Sequence, residues 1–126
     1  METRRYRTSV RGRFGALTDD QKTALRADAA AHDPLRAGFT DEGTLTYDAA
    51  LAFFTFRFQF DVEGESADAC DAEAAVIGEL KAMEELDRLG LSARDGKLTV
   101  NVTCLSEMRT ERKKGAKAHQ RMGVRT

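Results

Sequence analysis

Phe53-Phe54-Thr55-Phe56-Arg57-Phe58-Gln59-Phe60-Asp61-Val62 places phenylalanine at every second position from Phe54 to Phe60, with Thr55, Arg57 and Gln59 between. Only an extended chain sends alternate side chains to opposite sides, so the stretch predicts a strand with one apolar and one polar face. A segment near the start alternates in the same way. Arg5, Arg7, Ser9, Arg11 and Arg13 share one side, and Tyr6, Thr8, Val10, Gly12 and Phe14 share the other. Together the two segments predict a sheet covered on one face and open on the other, with arginines crowding the open side.

The neighbouring segments supply the cover. After a first strand over about Arg5 to Phe14, Thr18-Asp19-Asp20-Gln21 has the spacing of a capping box, in which Thr18 and Gln21 each satisfy a free backbone N–H, with Leu17 as the hydrophobic staple. The helix so started is expected over Asp19 to Ala31, with Ala24, Leu25 and Ala29 inward. His32-Asp33-Pro34 stops it, because a residue before proline avoids helical geometry. Phe39 to Tyr47 alternates weakly and is expected to form a hairpin, through Asp48 to Leu51, with the phenylalanine strand over Ala52 to Val62. Ser66 then caps a long helix, Ala67 to Leu89, whose Val76, Ile77, Leu80 and Met83 form an apolar stripe at helical spacing. Gly90 ends it. A last strand over Lys97 to Leu105 turns Leu98, Val100, Val102 and Cys104 inward and Thr99, Asn101 and Thr103 outward.

Strand, helix, strand, strand, helix, strand is the order of an α+β ferredoxin-like plait, βαββαβ, a four-stranded antiparallel sheet with two helices on one face. In the usual order of that plait the arginine strand and the phenylalanine strand are the central neighbours. One domain is expected over residues 1–108, followed by a basic C-terminal tail, 109–126, expected to be a flexible extension.

The stretches Tyr6 to Phe14, Ala30 to Ala37, Phe39 to Asp48 and Phe53 to Arg57 resemble a family of short actinobacterial proteins of unknown function. The likeness runs from about Arg5 to Met108 and is carried mostly by the long ordered run from Ala31 to Arg57. It implies a small, soluble, cytoplasmic actinobacterial protein, and it transfers no catalytic residue.

Bulk composition agrees with a soluble domain. The chain has 126 residues, 41% hydrophobic and 33% charged, enough to bury a core without disulfides or metals. Arginine outnumbers lysine fourteen to six among nineteen alanines, one isoleucine and one asparagine, the bias of a GC-rich genome. No apolar run approaches a membrane span, and no signal peptide is apparent, so the expected compartment is the cytoplasm. Cys70 and Cys104 lack a His or Cys at ligand spacing and are expected to be reduced thiols. No metal site and no cofactor are expected. The net charge of −1 conceals segregation: 109–126 carries seven basic residues and one acid, leaving −7 on residues 1–108.

The open sheet face is the first candidate site, formed by Arg5, Arg7, Arg11, Arg13, Phe53, Arg57 and Asn101. Converging guanidinium groups suit an anion through their planar, permanently charged fork. The plain alternative is a solvated or acid-paired surface. RNA reading of the usual kind needs aromatics displayed on adjacent central strands, and here Phe54, Phe56, Phe58 and Phe60 point the other way. The tail, through Arg112, Lys113, Lys114 and Lys117, is a second candidate, for nonspecific contact with nucleic-acid phosphates. The expected function is that of a small non-enzymatic binding or accessory protein. It acts as a homodimer through its sheet, with a small acidic ligand or a protein as the other possible occupant. The alternative is a dimeric α/β-barrel enzyme, a cyclase or cofactor-free oxygenase, which wants a more apolar open face than this one.

Overall fold

The computed structural model describes residues 2–35 and 37–106; the basic tail, with Arg112, Lys113, Lys114 and Lys117, lies outside the described residues. The chain is α+β. Four strands, β1 (Glu2–Phe14), β2 (Thr44–Tyr47), β3 (Phe53–Gly64) and β4 (Ala93–Cys104), form one antiparallel sheet in the order β2-β3-β1-β4. Two helices, α1 (Asp19–Ala27) and α2 (Ala67–Leu89), and a single 3-10 turn, Ala29–His32, connect them.

The central pair is β1 with β3, in a register that sets Tyr6 opposite Phe60, Val10 opposite Phe56 and Gly12 opposite Phe54. Because side chains alternate, the same register sets Arg5 opposite Asp61, Arg7 opposite Gln59 and Arg11 opposite Thr55 on the other face. Phe54, Phe56 and Phe58 are fully buried, and Phe60 and Val62 nearly so. Their rings pack along the strand, Phe54 to Phe56 edge-on at 5.8 Å and Phe56 to Phe58 stacked at 6.0 Å. Gly12 leaves room for Phe54, whose ring end would lie 2.7 Å from a Cβ there.

The predicted capping box is present, with the Gln21 backbone N–H donating to Thr18 Oγ1 at 3.1 Å and the Thr18 N–H donating to Gln21 Oε1 at 2.8 Å. The helix it starts is shorter than expected, ending at Ala27 before the 3-10 turn. None of its residues is buried: Leu25 is half-covered and Ala24 is exposed, as is Ala29 in the 3-10 turn. The apolar pattern there was too thin to pull the helix onto the sheet. The Phe39–Tyr47 strand contracts to Thr44–Tyr47, with residues 39–43 in a loop tied to β3 by the Gln59 N–H donating to Thr40 O at 2.8 Å. Gly43 serves that loop at φ 97°, and a Cβ there would meet the Phe58 ring.

The largest departure lies in α2. Its ends fall where expected, capped by Ser66 and by Gly90 at φ 72°. Of the expected stripe only Ile77 packs against the core; Val76, Leu80 and Met83 are about half exposed, and the buried face is Cys70, Ala74, Gly78, Ala82 and Leu86. Bulky aromatics already fill the space above β1 and β3, so the helix turns its small residues down and comes in close. At Gly78 an added Cβ would stand 2.4 Å from the Thr8 γ-methyl. The Thr8 hydroxyl beneath is buried without a hydrogen-bond partner.

Alanine at position 78 would ordinarily stabilise a helix by about 1 kcal/mol. Here the contact with Thr8 reverses the sign, and Gly78→Ala is expected to destabilise by about 1–3 kcal/mol in urea unfolding. Adding Thr8→Ala to that variant is expected to recover much of the loss. A stabilised single variant would show that α2 does not lie this close.

Candidate functional site

The outward face of β1 and β3 carries the predicted arginines, and their environments divide them. Arg5, at the Gly64 end of β3, donates from Nε to Asp61 at 2.9 Å, and this bond, more than the charge alone, holds the Asp61 carboxyl below its usual range. Arg7 donates to Gln59 Oε1 at 3.1 Å and lies 5.1 Å from the Phe39 ring. Arg57 is half-buried and engaged: its Nη1 donates to Pro34 O at 2.9 Å and Ala37 O at 2.7 Å, with its guanidinium 5.8 Å from Phe39. It ties the Pro34 and Ala37 carbonyls to the sheet, so this arginine, expected among the anion-facing groups of the open face, spends its donors on the backbone of a neighbouring loop. Phe39, brought onto the open face by that loop, was not foreseen there.

At the other end of the face, Arg11 and Arg13 lie 4.5 Å and 5.1 Å from the Phe53 ring. Such contacts hold a guanidinium over an aromatic surface while its N–H groups stay available. β4 supplies the remaining wall. Between Gly12 and Phe14 the β1–β4 register shifts, so that Phe14 pairs with Ala93 while Gly12 pairs with Leu98. The residues between bulge out through Asp95 and Gly96, both left-handed at φ 58° and 66°. The bulge delivers Arg94 and Lys97 to the same place. A solvent-open groove of about 660 Å³ results, lined by Arg11, Arg13, Phe53, Arg94, Asp95, Lys97, Thr99 and Asn101. Among the described residues none of its four cations makes an ion pair. Asp95 in the lining, and Asp48 at longer range from Arg11, stand against four positive charges.

The site residues read from sequence therefore split. Arg11, Arg13, Phe53 and Asn101 come together in the groove; Arg5, Arg7 and Arg57 do not. Arg94 and Lys97 were missed. Lys97 shares the odd-numbered phase of Thr99 and Asn101 and was findable by extending the alternation. Arg94 is out of phase, and only the left-handed bulge re-aims it.

Phe53 is fixed by the turn before it. Asp48 Oδ1 accepts the backbone N–H groups of Ala52 at 2.9 Å and Phe53 at 3.0 Å, across a turn in which Leu51 is left-handed at φ 58°. The Phe53 N–H above all, with smaller help from Ala52 and Arg11, lowers the Asp48 carboxyl from its ordinary value.

Away from the groove, Tyr6, Arg4 and the cysteines serve the fold. Tyr6 OH donates to Asp71 at 2.5 Å, and burial and that bond push its phenol upward. Arg4 is buried on the helix side and donates from Nε and Nη2 to Cys104 Sγ at 3.3 and 3.2 Å. Burial raises the Cys70 thiol, and neither Cys70 nor Cys104 is in a disulfide. No group of His, Cys, Asp and Glu that could hold a metal occurs among the described residues, and no described helix is long and apolar enough to cross a membrane.

These features define an α+β protein whose two-faced sheet bears a cationic groove at one end. The chain belongs to DUF6204, a family of unknown function whose model matches residues 1–116. Neither the curated proteins nor the solved structures contain a match.

Since Asp48 is lowered in the folded state, its contribution is complete above the unfolded value of roughly 3.9 and is lost as pH falls through the lower folded value. Asp48→Asn removes the charge and keeps an oxygen. Its deficit in urea midpoint relative to the parent is expected at pH 5 and should shrink markedly by pH 2.5. A deficit unchanged with pH would contradict this role.

Proposed function

We propose that the chain is a small cytoplasmic binding protein with a ferredoxin-like plait, whose open sheet face takes a small anionic molecule in the groove over Phe53. The sheet order, with β1 and β3 central and the phenylalanines facing the helices, supports the plait. One observation carries the function: Arg11 and Arg13 share the Phe53 ring, with Arg94 and Lys97 beside them, and among the described residues none of the four makes a close ion pair, Arg11 acting on Asp48 only at longer range. Guanidinium groups held in this way are preorganised donors for phosphate or carboxylate oxygens. The groove is of the size that takes a small molecule, and it lies open.

The same charges argue about the other occupant expected from sequence. Stacking two bare copies through this face would set Arg7, Arg11, Arg13, Arg94 and Lys97 of each against their like. An anion relieves that repulsion, and a second copy does not. The reading is therefore of ligand first, with homodimerisation through the face as its competitor.

Calorimetric titration with pyrophosphate is expected to show saturable binding that weakens with added salt. The Arg11→Ala, Arg13→Ala double variant is expected to bind at least about tenfold more weakly, since each charge-assisted hydrogen bond contributes about 1.5–3 kcal/mol. Absence of binding, together with a dimeric mass abolished by the same two substitutions, would assign the face to a second copy instead.

A further inference from the structure

On the opposite side of the sheet, α1 stands away from the strands. None of its residues is buried, and between it, the end of α2 and the edge of the sheet lies a crevice of about 320 Å³. Its lining is apolar over Leu25, Leu45, Phe56 and Leu91, with Leu89 at the mouth. Phe56 and Leu91 are buried parts of the core, so the crevice opens directly onto it. Such a volume lies at the lower end of those that take small organic ligands.

The polar groups around it are nearly all committed. Tyr47 OH donates to Leu25 O at 2.6 Å. The side chain of Gln21 is used at both ends, accepting from Thr18 N and donating to Gly90 O at 2.9 Å. Arg88 is held by Glu85 through two bonds at 3.1 and 2.8 Å. His32 differs. Its Nδ1 faces Leu45 O at 2.8 Å, and a carbonyl can only accept, so Nδ1 carries a proton, which in the neutral tautomer leaves Nε2 as an acceptor. The ring is steadied against Tyr47 at 5.1 Å. Asp28, also lining the crevice, makes no side-chain cap bond and adds a carboxylate acceptor.

An apolar floor with unused acceptors and almost no unused donor selects its guest. We infer that the crevice binds a small aromatic molecule carrying one hydrogen-bond-donating head, an ammonium above all, with its ring among Leu25, Leu45 and Leu89 and its head toward His32 Nε2 and Asp28. The charges agree, since Asp28 and Glu85 outnumber Arg88 there. This site is independent of the anion groove: it lies on the other face of the sheet and uses none of the same residues.

Two probes with one ring and opposite heads test it, phenethylamine and phenylacetate, each titrated into the full chain and followed by methyl NMR of the leucines. Phenethylamine is expected to shift Leu25, Leu45 and Leu91 saturably and to bind at least tenfold more tightly than phenylacetate. Ala24→Phe places a ring into the crevice from exposed helix surface and is expected to abolish the shifts. His32→Asn keeps a donor for Leu45 O while removing Nε2, and is expected to weaken phenethylamine several-fold without strengthening phenylacetate. Circular dichroism on both variants separates lost binding from lost folding. Equal binding of the two probes, binding that survives Ala24→Phe in a folded protein, or no saturable shift with phenethylamine would overturn the assignment.

Discussion

The register between β1 and β3 governs everything else in the molecule. With Val10 opposite Phe56 and Arg11 opposite Thr55, all the phenylalanines of β3 from Phe54 to Phe60 fall under the helical layer and all the odd-numbered arginines of β1 fall outside. A slip of one residue would bury guanidinium groups and expose benzyl rings, an exchange no other part of the chain offsets. The core and the cationic face are thus two consequences of one pairing.

The aromatic layer in turn dictates how the helices sit. Four phenylalanine rings and Tyr6 raise the inner surface of the sheet, and α2 meets it with Cys70, Ala74, Gly78 and Ala82, closing to contact at Thr8. α1 has no comparable set of small residues and no bulky stripe, so it remains at a distance and a crevice survives beneath it. Tight packing at one helix and slack packing at the other follow from the same rings.

Period-two alternation is a strong signal, and it made both central strands, their facing and the ends of α2 legible in the amino-acid sequence. Which stripe of α2 is buried was not legible. Val76, Leu80 and Met83 are the larger hydrophobes, but the choice depends on how much room the sheet leaves, a property of the assembled layers and not of the helix. The groove was half legible. Arg11, Arg13, Phe53 and Asn101 follow from strand phase, whereas Arg94 depends on left-handed backbone at Asp95 and Gly96 that breaks the phase. Likewise Arg57 looked like one more surface cation until a loop closed over it and offered two carbonyls.

What emerges is a division of labour along one sheet face. Arg5 is neutralised by Asp61, Arg57 at the centre holds a loop, and toward Phe53 the arginines make no close ion pair. Four cations gathered in one groove without a close ion pair are the feature that asks for an occupant. The most direct test is a crystal structure grown with a heavy oxyanion such as tungstate, located by its anomalous signal. The account predicts tungstate bound over Phe53 between Arg11, Arg13, Arg94 and Lys97; a groove without it, its cations paired with carboxylates of a neighbouring copy, would contradict the account.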